Sequence, residues 1–338
     1  MKIRKRLKVM NKALHMELRE HKSSFVVYVV LRMLVILMMI LQIFNRNYEN
    51  VFLCILTLIL LIMPSLVQIN LKIELPTALE ITILIFIFAA EILGEIQSYY
   101  IKFAFWDTAL HTINGFLMAA IGFALVDILN RSKKFSIQLS PVFVAIVAFC
   151  FSMTIGVIWE FFECAMDQIF NLDMQKDTIV HSIHSVMLDP TNSNIAVGIG
   201  NIRDVTVNGE SLGLGGYLDI GLLDTMKDLF VNFIGAVVFS VIGYFYVKNR
   251  GKGRFARRFI PRLKSKDADF LEQAEEEDAR SEIVKSGNAK PESAANLRIR
   301  PLMTPAAHKA NRVERSEPYT SSAPETPARG CGEAGISP

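Results

Sequence analysis

Acidic side chains recur at helical spacing where apolar stretches of the sequence end. The stretch TIGVIWEFFECAMDQ, residues 154–168, places Glu160, Glu163 and Asp167 at positions i, i+3 and i+7. At about 100° per residue, these positions share one face of a helix. Carboxylates crowded at the edge of an apolar region repel one another unless a proton or a cation lies among them. The pattern therefore predicts a binding site for protons or cations.

Three further stretches carry polar residues at the same kind of spacing. They contribute Glu91 and Glu95; Asp107, His111 and Asn114; and Asp224, Asp228 and Asn232. Carboxylate oxygens together with one imidazole suit Mg, Mn, Fe or Zn. We expect a divalent-metal site whose ligands come from Asp107, His111, Glu160, Glu163, Asp224 and Asp228. Glu163 is also the candidate general base, and no organic cofactor is expected.

Helix capping offers a simpler explanation for some of these acids. Asp107 and Asp224 fall at predicted helix N-termini, where unpaired N–H groups and the helix dipole favour a carboxylate. Glu160 and Glu163 fall near a predicted C-terminal end, where the same dipole opposes negative charge. Capping therefore stays open as an alternative for the first pair and fails for the second.

Transmembrane helices are the elements that must position these residues. Of the 338 residues, 51% are hydrophobic and only 20% are charged, and the mean hydropathy is +0.34. This balance excludes an ordinary soluble domain. Crossing a hydrocarbon core of about 30 Å takes about 20 apolar residues. Runs of this length lie near 25–44, 51–69, 77–96, 108–129, 140–163 and 229–247. The expected fold is an all-α integral membrane protein, a bundle of about six transmembrane helices.

The distribution of Lys and Arg predicts how this bundle is oriented. Short loops rich in these residues stay on the cytoplasmic side. Lys and Arg crowd residues 1–24, 131–134 and 248–266, and they are scarce in the loops that alternate with these. We therefore expect a multi-pass protein of the plasma (inner) membrane with both termini cytoplasmic. The acidic stripes then lie at the outer face.

Composition divides the chain into four parts. A basic cytoplasmic lead, 1–24, precedes the six-span membrane domain, 25–248, and a basic juxtamembrane segment, 249–266, follows it. The lead is a topology signal or, as a less favoured alternative, a helix on anionic lipid. Residues 267–338 are rich in Ala, Pro, Ser and Glu and are predicted to be a disordered tail.

A long extracytoplasmic segment, about 164–228, separates the last two spans. Alternating residues around Asn208 and Gly209 predict a type I′ hairpin within it. His181 and His184 could add metal ligands, although loop histidines are more often plain surface residues.

Three motifs resemble a known family. The stretches FWDTALHTINGFLMA, GVIWEFFECAMDQ and GLLDTMKDLFVNFIGA are similar to the YjdF-type family of uncharacterised bacterial inner-membrane proteins. They are more distantly similar to the VanZ-type family linked to teicoplanin resistance. The resemblance covers roughly residues 25–248 and departs in the long segment and after residue 267. It implies a multi-spanning bacterial membrane protein and brings no established activity. Its matching positions are Asp107, His111, Glu160, Glu163, Asp224 and Asp228.

Three classes of function are compatible with these features. The first is a membrane enzyme whose metal polarises a phosphoryl or acyl oxygen of an envelope lipid or lipid-linked substrate. The second is an ion- or proton-coupled secondary transporter. The third is a structural or sensing protein whose acids hold the bundle to the long segment. The lipid bilayer is the expected partner, nucleic acid is not expected, and the oligomeric state stays open.

Overall fold

The fold is described by a computed structural model that covers residues 2–131, 139–249, 253–265 and 268–285. Six helices in these ranges are long and apolar enough to cross a membrane. They are Lys22–Phe44, Tyr48–Leu71, Thr77–Ile96, Trp106–Asp127, Pro141–Phe170 and Leu222–Lys248. The predicted all-α fold with six spans is therefore confirmed.

The first spans contain two irregularities. Helix α1 (Lys2–Glu20) precedes the first span, α2 (Lys22–Phe44). The second span breaks into α3 (Tyr48–Leu60) and α4 (Met63–Leu71), with Pro64 in the first turn of α4. Proline lacks an N–H donor and clashes with the preceding turn, so it favours a new helix start over a continuous helix.

The third span changes its helical type near its end. It starts as α5 (Thr77–Phe88) and continues as a π-helical segment, Ala89–Ile96, which carries Glu91 and Glu95. The other α-helices in the described ranges are α6 (Tyr99–Lys102), α7 (Trp106–Arg131), α8 (Pro141–Phe170), α9 (Leu222–Lys248) and α10 (Phe270–Lys285).

Short antiparallel strand pairs connect segments outside the spans. The pairs in the described ranges are β1 (Ile73–Glu74) with β8 (Arg262–Leu263), β2 (Ile179–Val180) with β7 (Tyr217–Leu218), β3 (Ile183–Ser185) with β4 (Val197–Ile199), and β5 (Thr206–Val207) with β6 (Glu210–Ser211). The turn between β5 and β6 is Asn208–Gly209, with φ values of 54° and 91°. A type I′ turn requires positive φ at both central residues, so the predicted hairpin is confirmed.

Consecutive spans alternate in direction, so the segments that connect them lie alternately at the two ends of the bundle. The terminal end carries α1, the β1–β8 pair and α10, and the site end carries residues 97–105 and 171–221. The connecting segment, 171–221, is shorter than the predicted 164–228, because α8 continues to Phe170 and α9 begins at Leu222. Both helices extend past their apolar stretches since the acids there face the bundle interior.

Helices α7, α8 and α9 form a tightly packed three-helix core. A Cβ atom added at Gly115 of α7 would lie 2.1 Å from the carbonyl oxygen of Asn232 in α9. One added at Gly235 of α9 would lie 2.1 Å from the carbonyl oxygen of Thr112 in α7. Small residues let transmembrane helices approach closely. The two backbones therefore touch here, and this contact fixes the positions of residues one turn away.

We predict that Gly235→Ala destabilises the protein by about 1–3 kcal/mol, because the added methyl group forces α9 away from α7. The thermal midpoint of the detergent-purified protein measures the effect. Gly200→Ala is the control, since a Cβ there meets nothing within 4 Å. Equal midpoints for both variants would contradict the close backbone contact.

At the terminal end, α1 packs against α10. Ala13 of α1 and Ala274 of α10 are both fully buried in a shared apolar cluster. Lys8 Nζ lies 3.3 Å from Asp278 Oδ1, and Lys12 forms an ion pair with Glu277. The basic lead thus docks on an acidic helix of the same chain, an arrangement that neither sequence-based explanation of the lead included.

The predicted start of the disordered tail is wrong, because helix α10 lies within the predicted tail. The prediction placed that start at residue 267, whereas Phe270–Lys285 is helical. A segment rich in Ala, Ser and Glu is typical of disorder, but here the acids of α10 pair with lysines of α1. Residues 286–338, the remainder of the predicted tail, lie outside the described residues.

A buried ion pair joins α1 to the chain after β8. Glu17 of α1 is 4% exposed and pairs with Lys264. Burial raises the pKa of Glu17 to about 7, although the nearby Lys264 ammonium lowers it in part. A carboxyl whose pKa is raised by folding stabilises the folded state at low pH, and that contribution is lost as pH rises to the folded pKa.

We predict that the stability of the protein falls by about 1 kcal/mol per pH unit between pH 4.5 and 7 because of Glu17, and that this contribution is constant above pH 7. The measurement is the difference in unfolding free energy between the wild type and Glu17→Gln across this range. Glu20→Gln on the same helix is the control. A difference that does not change with pH would contradict the burial effect.

Candidate functional site

Three predicted ligands meet at the site end, in a group that we call the Asp–His cluster. Asp107 and His111 lie on successive turns of α7, and Asp228 lies on α9. One ligand atom from each lies within 4.8 Å of the other two. His111 Nε2 is 3.4 Å from Asp107 Oδ1 and 3.9 Å from Asp228 Oδ2. The helical spacing predicted from the sequence therefore does bring these side chains together.

Glu160 of α8 approaches the cluster from the opposite side of the imidazole. Its Oε1 atom lies 3.9 Å from His111 Nδ1. The residue is 4% exposed, and its Oε2 atom is buried without a hydrogen bond. Carboxylates thus face both ring nitrogens of His111, and one carboxylate oxygen lacks a donor. A buried acceptor without a donor is costly and indicates a missing partner.

Lys227 supplies positive charge at the rim of the cluster. Its Nζ atom donates a hydrogen bond of 2.6 Å to Asp224 Oδ1. The same atom lies 3.2 Å from Asp107 Oδ2 and 3.6 Å from Asp228 Oδ1, although neither oxygen accepts a hydrogen bond from it. The side chain of Lys227 is 44% exposed, so it can move away from the cluster toward solvent. The i, i+3 spacing from Asp224 was the sequence signal for this contact.

Asp224 and Asp167 bind the connecting segment. Asp224 Oδ2 accepts a hydrogen bond from the backbone N–H of Lys176 at 2.9 Å. Asp167 accepts hydrogen bonds from the backbone N–H groups of Met174 and Gln175 at 2.6 and 2.9 Å. Both oxygens of Asp224 are therefore engaged, and Asp224 does not belong to the group of three. Its predicted role as a metal ligand stays a prediction.

Glu163, the candidate general base, lies beside the cluster. Its Oε1 atom accepts a hydrogen bond of 2.7 Å from Trp159 Nε1, one turn earlier on α8. The residue is buried, and it lies within electrostatic range of Glu160 and His111. Trp159 therefore orients the carboxylate of Glu163.

Asn232 forms the floor beneath the cluster, one turn below Asp228. It is 1% exposed. Its Oδ1 atom accepts a hydrogen bond of 3.4 Å from Asn114 Nδ2, and its own Nδ2 group lies 3.6 Å from Met153 Sδ. Side-chain room for this amide comes from Gly156, where a Cβ would lie 2.7 Å from Nδ2. The polar stripes of α7 and α9 thus continue inward as a hydrogen-bonded amide pair.

The remaining predicted candidates lie outside the group. Glu91 and Glu95 belong to the π-helical segment, and Glu95 is exposed. His181 Nδ1 contacts the carbonyl oxygen of Ile202 at 3.1 Å, and His184 lies in β3 next to Gly198 of β4. In the ranges that the structure describes, neither histidine joins a group of three ligand residues. This placement agrees with the alternative that both histidines are plain surface residues of a loop.

The fold defines a multi-span membrane protein, and the comparison with protein families supports this class. The family described as "Predicted membrane protein (DUF2238)" matches residues 26–249. The chain belongs to this family, and the match confirms the resemblance drawn from the three motifs. No curated protein and no solved structure matches the chain. The matched region includes five whole spans, the first span from residue 26 onward, and the whole Asp–His cluster.

Proposed function

We propose that the site end binds a divalent cation at Asp107, His111 and Asp228. The observation that carries the proposal is the convergence of these ligand atoms to within 4.8 Å of one another. Oxygen and imidazole donors in this combination suit a first-row divalent metal. The acids also outnumber the local bases, because the nearby cations are Lys227 and, if protonated, His111. A metal ion would offset the remaining negative charge.

The two ring nitrogens of His111 face different acids, which suggests different roles for these acids. His111 Nε2 faces Asp107 and Asp228, whereas Nδ1 faces Glu160. Metal-bound histidines usually donate their second ring N–H to a carboxylate, which fixes the tautomer. We therefore assign Nε2 as the ligand and Glu160 as the residue that orients the ring. This assignment differs from the expectation that Glu160 is itself a ligand.

A bound metal at this position would support hydrolytic or group-transfer chemistry. Such a metal polarises a phosphoryl or acyl oxygen or generates hydroxide, and Glu163, whose carboxylate accepts a hydrogen bond from Trp159, would act as the general base. Lys and Arg concentrate at the terminal end, so we infer that this end is cytoplasmic and that the site faces the outside of the plasma membrane. Envelope lipids or lipid-linked molecules are the substrate class that reaches this level.

The packing below the site argues against the alternative of a secondary transporter. Phe239 packs against Phe116 and Phe123 with ring centroids 5.0 and 6.1 Å apart, and Phe123 also packs against Tyr246. Phe123 and Phe239 are fully buried. A path through the three-helix core would have to cross this aromatic layer. The packing favours a site that opens at one end over a transport route.

We predict that the detergent-purified protein binds one divalent metal ion per chain and that Asp228→Asn abolishes this binding. Glu160→Gln should weaken it by about 10- to 100-fold, the usual effect of losing the carboxylate that orients a ligand. Titration calorimetry with Zn²⁺ or Mn²⁺ measures both effects. Glu210→Gln, an exposed acid of β6, is the matched control.

Two results would overturn the metal proposal. One is a wild-type protein that binds none of the tested ions. The other is an Asp228→Asn variant whose metal affinity equals that of Glu210→Gln. If the first result came with a lowered thermal midpoint in Asp228→Asn, the cluster would have the structural role of the third hypothesis.

Lys227 provides an independent test, because its ammonium group lies close to two proposed ligands. We predict that Lys227→Gln tightens metal binding by roughly tenfold, since a cation near the metal is removed. Lys176→Gln is the control: Lys176 is similarly exposed, but its ammonium group pairs with Asp173. Unchanged or weaker binding in Lys227→Gln would show that the lysine does not compete with a metal.

A further inference from the structure

Two sets of basic residues at the terminal end differ in their partners. The three lysines of the first set are neutralised within the chain. Lys8 pairs with Asp278, Lys72 with Asp269 at 2.7 Å, and Lys264 with Glu17. These ion pairs therefore hold α1 and α10 in place.

Three arginines in residues 253–263, a part of the juxtamembrane segment, behave differently. Arg254, Arg258 and Arg262 are exposed, and none of them forms an ion pair with a residue in the described ranges. Exposed apolar side chains stand next to two of them: Phe255 follows Arg254 and is 53% exposed, and Leu263 follows Arg262 and is 54% exposed. Unpaired guanidinium groups beside exposed apolar groups are typical of a surface that lies on lipid.

The segment is held in place, so it presents a fixed surface. Ala256 and Ile260 are 3% and 2% exposed and belong to the core cluster of the three-helix bundle. The ring of Phe259 packs edge-on against Phe116 of α7 at 5.3 Å. The arginines on the opposite side of this segment therefore keep a constant spacing.

The connections of the segment place it at the membrane boundary. It begins shortly after Lys248, where the last span ends. It ends at β8, whose partner β1 lies between the end of the second span at Leu71 and the start of the third at Thr77. Three span ends thus flank the segment, and lipid headgroups lie at that level.

We propose that Arg254, Arg258 and Arg262 form a binding surface for anionic phospholipid headgroups, with Phe255 and Leu263 inserted among the acyl chains. Guanidinium groups bind phosphate oxygens in a bidentate geometry that suits a lipid phosphate. The negative charge of an anionic lipid complements three positive groups that have no ion-pair partner among the described residues. This surface is at the opposite end of the bundle from the Asp–His cluster and does not depend on the proposed metal.

The test uses the full chain reconstituted in phosphatidylcholine vesicles with trace spin-labelled lipid. The fraction of label immobilised by the protein is compared for phosphatidylglycerol and phosphatidylcholine. We expect about a tenfold preference for phosphatidylglycerol in the wild type and little preference in Arg254→Gln/Arg258→Gln/Arg262→Gln. The control, Arg46→Gln/Lys102→Gln/Arg203→Gln, removes three exposed positive charges from the site end and should keep the preference.

A second measurement on the wild type alone guards against a triple variant that fails to fold. In 0.5 M NaCl the Debye length falls to a few ångströms, and the preference for phosphatidylglycerol should decrease several-fold. No preference in the wild type, a preference that salt leaves unchanged, or equal preferences in the triple variant and the wild type would each overturn the proposal. In the first case, the arginines would serve only as a topology signal.

Discussion

The repulsion among carboxylates buried between α7, α8 and α9 is the constraint on which the rest of the site end depends. Asp107, Glu160 and Asp228 each have an oxygen that is buried without a hydrogen bond. Isolated negative charge in an apolar setting is costly, so these acids can remain together only with positive charge or protons among them. His111 and Lys227 supply part of it. The close approach of α7 and α9 at their glycines keeps the acids from separating.

The two ends of the bundle differ in how their charged groups are balanced. At the terminal end, Lys264 is paired with Glu17 and Lys72 with Asp269. These pairs join segments that are distant in the sequence, and their charges are matched one to one. At the site end, Lys227 is shared by three acids. The pairs at the terminal end hold distant segments together, whereas the site end keeps more acidic groups than cations.

The sequence predicted well those features that depend on local periodicity. Six apolar runs gave six spans, and Asn208–Gly209 gave a hairpin, because each signal lies within one element. Helix ends were predicted less well. Hydropathy places a span end where apolar residues stop, but α8 and α9 continue while their acids stay on a buried face. Helix α10 was missed because its ordering depends on α1, more than 200 residues away.

The sequence alone determined which polar residues share a helical face. Asp107 and His111 are four residues apart, and this spacing puts them on adjacent turns whatever the rest of the chain does. Only the tertiary structure decided which faces meet. Asp228 and Asp224 lie one turn apart on α9, yet Asp228 joins His111 while Asp224 binds the backbone of the connecting segment. The reason is that distances between helices depend on packing, here on glycine contacts between α7 and α9, which no local pattern reveals.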